Sequence, residues 1–341
     1  MPPTISLIIP MRNEARLIGS LLRSVAAQDF GQPFEIVIAD GRSTDGSVEI
    51  VEQESRRLGL NTIVVDNPQE RTATGLNACI RRATGELLVR LDCHARPEPD
   101  YVSACVRASA ETGADNVGGP TLVEGGSPGE RAVAAAMDSP FGGIGWSTHQ
   151  PEGPIEHDTV YCGAFRADVF RRIGGFDEAL GSNEDDELNA RLRAAGGRVI
   201  LDPRIRVWYT PRDTALGVFR QYYRYGLWKP AVMRRHGAVF GVRSLVPPSF
   251  ALSLPALGLL AVVWRPALLL LATELVVYLG AALVAGIESL RRRREPLRLL
   301  PRVLAAFPAF HLGYGLGMLR GALSPREPGA HLPVTVQDHH A

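Results

Sequence analysis

Three groups of side chains in this sequence have types and spacings suited to chemistry. Asp92 and His94 stand two residues apart in LVRLDCHA. A carboxylate and an imidazole at that spacing suit one Mn2+ or Mg2+, with phosphate oxygens and water filling the remaining positions. Glu184, Asp185, Asp186 and Glu187 are consecutive in SNEDDEL. Each of these carboxyls lives beside like charges, which raises its pKa and makes it a better proton acceptor. Asp40 closes an apolar run in IVIADGRSTDGS, where its carboxylate can accept hydrogen bonds from a nucleoside. Each group also has an ordinary counterpart: Asp40 as a turn residue or helix cap, Asp92 and His94 as a solvated pair on a loop, the acidic run as charge complementing a helix N-terminus. Taken singly, those readings stay open.

The elements that must position these groups follow from two alternating periodicities. Apolar runs of strand length, Ile5 to Ile9, Phe34 to Ala39, Thr62 to Val65 and Leu87 to Leu91, are separated by stretches with helical spacing such as Ile18, Leu21, Leu22 and Val25. Continuous apolar strands joined by helices predict an α/β fold with a mostly parallel sheet covered on both faces, where ligands bind beyond the carboxyl ends of the strands. Asp40 and Asp92 both close such strands and are expected to face one cleft. Alternation in an extended segment would put Asp92 and His94 on the same side. From Gly118 to Gly153 the chain is rich in Gly and Pro with little periodicity, which predicts a loop-heavy insertion over the cleft. Regularity returns with the strand DTVYCGAF, the turn GGFDE, and a helix over the acidic run that Ser182 or Asn183 caps and Gly196 ends. A strand, RVILD, and an amphipathic aromatic stretch through FRQYYRYGLWKP follow.

At 341 residues the chain is too long for one average domain. Thirty-seven basic against thirty-six acidic residues leave a formal charge of +1, no field for holding nucleic acid. The four cysteines show no CxxC spacing and read as reduced thiols. MPPTISLIIP has no basic n-region and reads as a strand, not a signal peptide. After Arg243 the composition shifts: Leu245 to Trp264 carries no charge in 20 residues, and Ala267 to Ile287 carries only Glu274 in 21. Both are long enough to cross a bilayer, and the short Trp264-Arg265-Pro266 link makes them a hairpin. Basic residues on both flanks, Arg234, Arg235 and Arg243 before and Arg291 to Arg294 after, place both ends in the cytoplasm by the positive-inside rule. A third apolar segment, 303–319, leaves spanning, re-entrant and interfacial placements open. The expected plan is a catalytic domain over 1–243, a membrane segment over 244–320 with its hairpin at 245–264 and 267–287, and a flexible tail over 321–341. A chain cut before Leu245 is expected to stay folded and largely soluble.

The runs SLIIPMRNEARLI, IVIADGRSTDGS, TATGLNACIRRATGELLVRLDCHA, GGFDE and NEDDELNARLRAAGG, in that order, resemble the family 2 glycosyltransferases of GT-A fold. Within that family the Arg-Leu-Asp-x-His-Ala run and the C-terminal membrane segment are most similar to the succinoglycan-biosynthesis ExoA group. The resemblance spans roughly residues 4 to 230. It implies that Pro10, Asn13, Glu14 and Asp40 line a nucleoside pocket, that Asp92 and His94 meet a divalent metal (Mn2+ or Mg2+) and diphosphate, and that Asp185 is the catalytic base of an inverting transfer. It further implies a nucleotide-diphosphate sugar donor, UDP-sugar favoured, and an acceptor hydroxyl on a lipid-linked saccharide in exopolysaccharide biosynthesis at the cell membrane. Glu184, Arg71, Arg90 and Gln221 are further candidate contacts to acceptor or phosphate. Two departures stand out: His94 replaces the family's second aspartate, and Tyr209 lies near where many such enzymes carry a metal-binding histidine. A nucleotidyltransferase or dinucleotide oxidoreductase would share a parallel sheet, but neither GxGxxG nor GxxxxGK[ST] is present. A membrane scaffold with a degenerate transferase domain is the non-enzymatic alternative.

Overall fold

The computed structural model of the chain describes residues 3–142, 151–236 and 242–324. These fall into two compact units: 3–122 with 151–209, and 123–142 with 210–236 and 242–324. The expected boundary at 243/244 is therefore not where the compact units divide.

The first unit opens with β1 (Ile5–Met11), α1 (Ile18–Ala26), β2 (Glu35–Asp40), α2 (Ser47–Leu58), β3 (Thr62–Asp66), α3 (Thr72–Arg82) and β4 (Leu87–Arg90). These four strands match the apolar runs of the sequence. β1, β2 and β4 are buried along almost their whole length, so nearly every position is apolar. On α1 the helical stripe Ile18, Leu21, Leu22 and Val25 faces the core. The chain continues through β5 (Ala95–Pro97), α4 (Tyr101–Thr112), β6 (Asn116–Gly119) and β7 (Thr121–Val123). After α5 (Pro128–Met137), part of the second unit, come β8 (Ile155–Glu156), β9 (Tyr161–Arg166), α6 (Ala167–Ile173), α7 (Glu184–Ala194), β10 (Val199–Leu201) and β11 (Val207–Tyr209). The main sheet runs β3-β2-β1-β4-β9-β6-β10-β8, and β5-β11-β7 form a smaller one. β1 to β4 pair in parallel, whereas β9 lies antiparallel between β4 and β6. Met11 pairs with Asp40 and Asp40 with Asp66, so these strands end level with one another.

The segment from Gly118 is more regular than its glycines suggest. β6, β7 and α5 occupy it as far as Met137. The capping box of Ser127 and Glu130, with Pro128 at the first helical turn, starts α5 in a glycine-rich context. Residues 143–150 of that segment lie outside the described residues.

The second unit comprises α5, α8 (Ala215–His236), α9 (Val246–Val263), α10 (Pro266–Arg292) and α11 (Leu300–Leu323). α9 with its preceding turn, and α10, are long and apolar enough to cross a membrane. Their apolar side chains face outward, Val262 at 82% and Leu269 at 70% exposure, an apolar surface of the kind that marks a membrane or protein contact. The third apolar segment is the buried face of α11, laid along α8. A Cβ at Gly317 would run into the Tyr223 carbonyl, at Gly321 into that of Leu227, and at Gly226 into that of Tyr314. Only glycine permits so close an approach of two helix backbones. The Phe310 and Tyr222 rings meet at a tilt, 4.6 Å apart, beside the seam.

This packing changes the expectation for truncation. A chain ending at residue 244 removes α11 and uncovers the face of α8 that carries Val218, Gly226, Pro230 and Val232. We expect that chain to self-associate on size-exclusion chromatography in detergent-free buffer; a monodisperse monomer would show that α8 needs no cover.

Candidate active site

Two strand-end turns form one wall of the site, and side chains lace them together. The Asn13 amide donates to Ser43 Oγ at 2.9 Å, while the Thr44 amide donates to Asn13 Oδ1 at 2.9 Å. The Glu14 amide donates to Ser47 Oγ at 2.8 Å and the Ala15 amide to Asp45 Oδ2 at 3.0 Å. Asn13 adopts a left-handed backbone, φ 53°, a conformation that asparagine tolerates better than most residues. Asp40 receives the Ser43 amide at 3.2 and 3.3 Å on its two oxygens, so it caps its own turn as well as standing at the strand end. Pro10, Asn13, Glu14 and Asp40 are thus brought to the same end of the sheet. Asp45 went unnoticed in the sequence. Its carboxyl is held below the usual range first by the Ser47 hydroxyl and then by the Ala15 amide.

The second wall is built on β4 and α7. Arg90, 8% exposed, directs Nε to Asp92 Oδ1 at 3.0 Å and Nη2 to Glu184 Oε1 at 3.0 Å. One guanidinium therefore ties the end of β4 to the first residue of α7, 94 positions away. Burial works against both charges of the Arg90–Asp92 pair. Their mutual attraction outweighs it, keeping Asp92 below the usual carboxylate range and Arg90 firmly charged. At the other end of the acidic run Glu187, fully buried, pairs with Arg191 at 2.8 Å, and Arg191 also donates to the Gly175 carbonyl at 2.7 Å. The α7 N-terminus thus has a separate arginine for each outer glutamate. Between them Asp185 accepts the Asp186 amide at 2.8 Å. Burial first, then the charges of Asp186 and Glu184, push the Asp185 carboxyl up to about 7. Asn183 is the N-cap residue in a left-handed conformation and makes no side-chain cap bond, while Gly196 follows the C-cap at φ 80°.

Asp92 and His94 do converge, by a different route from the one expected. β4 ends at Arg90, and the Ala95 amide closes a turn onto the Asp92 carbonyl at 2.9 Å. That turn, not strand alternation, brings His94 Nε2 to 3.9 Å from Asp92 Oδ2. Tyr209 packs edge-on to the His94 ring at 5.0 Å, so it stands beside the pair as the sequence suggested. Among the described residues no group of three or more His, Cys, Asp or Glu is placed to hold a metal. The donor set of one carboxylate oxygen and one imidazole nitrogen fits a divalent ion that takes its other ligands from phosphate and water.

The remaining candidates have other partners. Arg71 Nη1 donates to the Glu178 carbonyl at 2.9 Å. Asn77 pins the same turn to α3, accepting the Phe176 amide at 2.8 Å and donating to its carbonyl at 2.9 Å. Asn77 had no signal of its own in the sequence beyond its place in a motif. Gln221 lies on α8 in the second unit, its amide donating to Tyr225 Oη at 2.7 Å. All four cysteines are buried free thiols.

A parallel βαβ half ending in carboxylates, followed by an antiparallel strand and an acidic helix start, is the GT-A arrangement. A mannosyltransferase from Pyrobaculum calidifontis, solved with GDP-Man and Mn2+, shares it at a TM-score of 0.58 and 22% identity, over 91% of this chain and 87% of that one. The family described as glycosyl transferase family 2 matches residues 6–174. Succinoglycan biosynthesis protein ExoA of Rhizobium meliloti is 31% identical over 329 residues, 94% of this chain and 95% of its own. A dolichyl N-acetyl-alpha-D-glucosaminyl phosphate 3-beta-D-2,3-diacetamido-2,3-dideoxy-beta-D-glucuronosyltransferase of Methanococcus voltae is 25% identical, covering 93% of this chain and 98% of that one. The chain belongs to glycosyl transferase family 2 and is a glycosyltransferase.

Arg90 is the point at which this site is most vulnerable. Arg90→Met leaves the Asp92 and Glu184 carboxylates buried without their counter-charge, a loss of about 3 kcal/mol or more. Thermal melting of the full chain in detergent measures it, with Arg90→Lys expected between the two. A melting temperature for Arg90→Met equal to wild type would mean that the bridge contributes nothing to folding.

Proposed function

We propose that this enzyme moves a sugar, with inversion, from a nucleotide-diphosphate donor onto the hydroxyl of a lipid-linked saccharide, while anchored in the cell membrane by a hairpin of α9 and α10. The observation that carries the reading is the raised carboxyl of Asp185, held beside the strand-end aspartate by the shared Arg90 bridge. A base that titrates near neutrality is matched to removing a proton from an acceptor hydroxyl.

In this mechanism the braced turns carrying Pro10, Asn13, Glu14 and Asp40 grip the nucleoside, with a UDP-sugar the favoured donor. Asp92 and His94 would hold a divalent cation, which neutralises the charge that develops on the departing diphosphate. Arg90 keeps Asp92 ionised and aimed. Asp185 takes the proton as the hydroxyl attacks, and no covalent intermediate is needed. Glu184 serves through Arg90 as a positioning residue, a role different from the direct contact to acceptor or phosphate that the sequence suggests. The names of the two relatives, one a succinoglycan biosynthesis protein and the other a transferase acting on a dolichyl-phosphate-linked N-acetylglucosamine, support a lipid-linked saccharide as acceptor. Basic residues flanking the hairpin, Arg234, Arg235, Arg291, Arg292 and Arg294, support a multi-pass protein with its catalytic unit in the cytoplasm.

Asp185→Asn keeps the size of the side chain and removes its proton affinity. Turnover is expected to fall by about two orders of magnitude, with donor affinity nearly constant. For wild type, kcat/KM should fall below pH of about 7 as Asp185 becomes protonated, and level off above it. Near-normal turnover in Asp185→Asn, with loss in Asp186→Asn instead, would move the base to the neighbour.

The Asp92 and His94 roles separate by calorimetry of nucleotide binding with and without Mn2+. Asp92→Ala should lose the Mn2+-dependent part of the affinity, and His94→Asp should retain it, since a carboxylate is also a good ligand for the ion. An undiminished Mn2+ effect in Asp92→Ala rules out this site.

A further inference from the structure

A cavity of about 610 Å3 opens along α8, lined by Arg212, Phe219, Arg220, Tyr223 and Arg224 together with Gly217 and Gln221. None of the strand-end carboxylates contributes to it. Arg212, Arg220 and Arg224 are exposed and, among the described residues, make no hydrogen bond or ion pair. Two arginines of the same unit that are matched are Arg131, which pairs with Glu295 at 2.5 Å, and Arg293, which pairs with Asp138. The cavity lining holds no acidic residue at all. Three unmatched guanidiniums in one concavity leave a strong positive potential that an anion would relieve.

The geometry narrows the anion. Arg220 and Arg224 are one helical turn apart and so share a face. Arg212 precedes the helix and folds back over its first turn, its Cβ 3.3 Å from the position a Cβ would take at Gly217, so the glycine leaves room for it. Planar guanidiniums that line one cavity suit the several oxygens of a phosphate or diphosphate, which arginine binds in bidentate fashion. The other wall is aromatic, with Phe219 and Tyr223 nearly parallel at 6.2 Å between ring centres and 22° between planes. A ligand with a charged phosphate head and an apolar chain meets both walls. The next helix after α8 is the first candidate membrane span, so such a ligand would already lie in the bilayer.

We infer that this cavity binds the phosphate or diphosphate group of a lipid-borne acceptor, with Arg212, Arg220 and Arg224 as its ligands. The inference rests on the lipid-linked acceptor proposed above and adds where its head group is held. The test uses the full chain in phosphatidylcholine nanodiscs, with farnesyl diphosphate as probe and inorganic diphosphate and phosphatidylglycerol as competitors. Farnesyl diphosphate should bind saturably, and Arg220→Gln and Arg224→Gln should each weaken it about tenfold, with Lys at either position intermediate. Arg212→Gln, outside the helix, provides the same reading should a helix variant melt early. Wild-type affinity in all three glutamine variants overturns the assignment. Equal affinity for inorganic diphosphate makes it a site for free phosphate, and displacement by phosphatidylglycerol makes it a contact with bulk anionic lipid; either outcome rejects the acceptor role. Absence of any nucleotide-sugar hydrolysis by wild type would instead remove the transfer reaction and leave the binding result standing.

Discussion

A single buried guanidinium holds this site together. Arg90 sits on β4, where the sheet is solid with apolar side chains, and it remains charged there only because Asp92 and Glu184 face it from two directions. Without it both carboxylates would be buried with no counter-charge from this side chain. The bridge has a geometric effect and an electrostatic one. It fixes the α7 N-terminus against the end of β4, and it neutralises part of an acidic cluster that still exceeds its counter-charge. The excess falls on Asp185, whose carboxyl is pushed up because burial and two neighbouring acids outweigh the one arginine within reach.

Much of this was legible in the sequence for a simple physical reason. β1, β2 and β4 are buried on both faces, so their apolar runs are continuous and their ends are marked by the first polar residue, which at β2 is Asp40. The family resemblance then singled out Asp185 as the candidate base. The order of the later strands was not legible. β9 inserts antiparallel between β4 and β6, and no local pattern in DTVYCGAF reports which strand it will pair with. α5 escaped notice because glycines surround it, although its capping box was present in SPGE. The approach of Asp92 to His94 was expected for the wrong reason: a turn closed by the Ala95 amide brings them together. The pairing of Arg90 with Glu184 joins residues so far apart that spacing cannot reveal it.

The two units use arginine in different ways. In the first, Arg90 and Arg191 are consumed in tying α7 down, and Arg71 in holding the turn at Glu178. In the second, Arg131 and Arg293 reach from either side across the joint between α5 and the end of α10. Arg212, Arg220 and Arg224 remain uncompensated, and they share one cavity.

The glycine seam between α8 and α11 has a consequence for biosynthesis. α8 packs most extensively on residues 300–323, close to the end of the described residues. The strands and helices of the first unit are complete by Tyr209 and can close while the ribosome is still elongating, since domains fold as units from the N-terminal side. α8 must wait, with its backbone groove open, until α9 and α10 have been made and α11 has emerged behind them. Maturation of the second unit is thereby placed in a fixed temporal order, in which α11, translated after α8, α9 and α10, is the helix that covers α8.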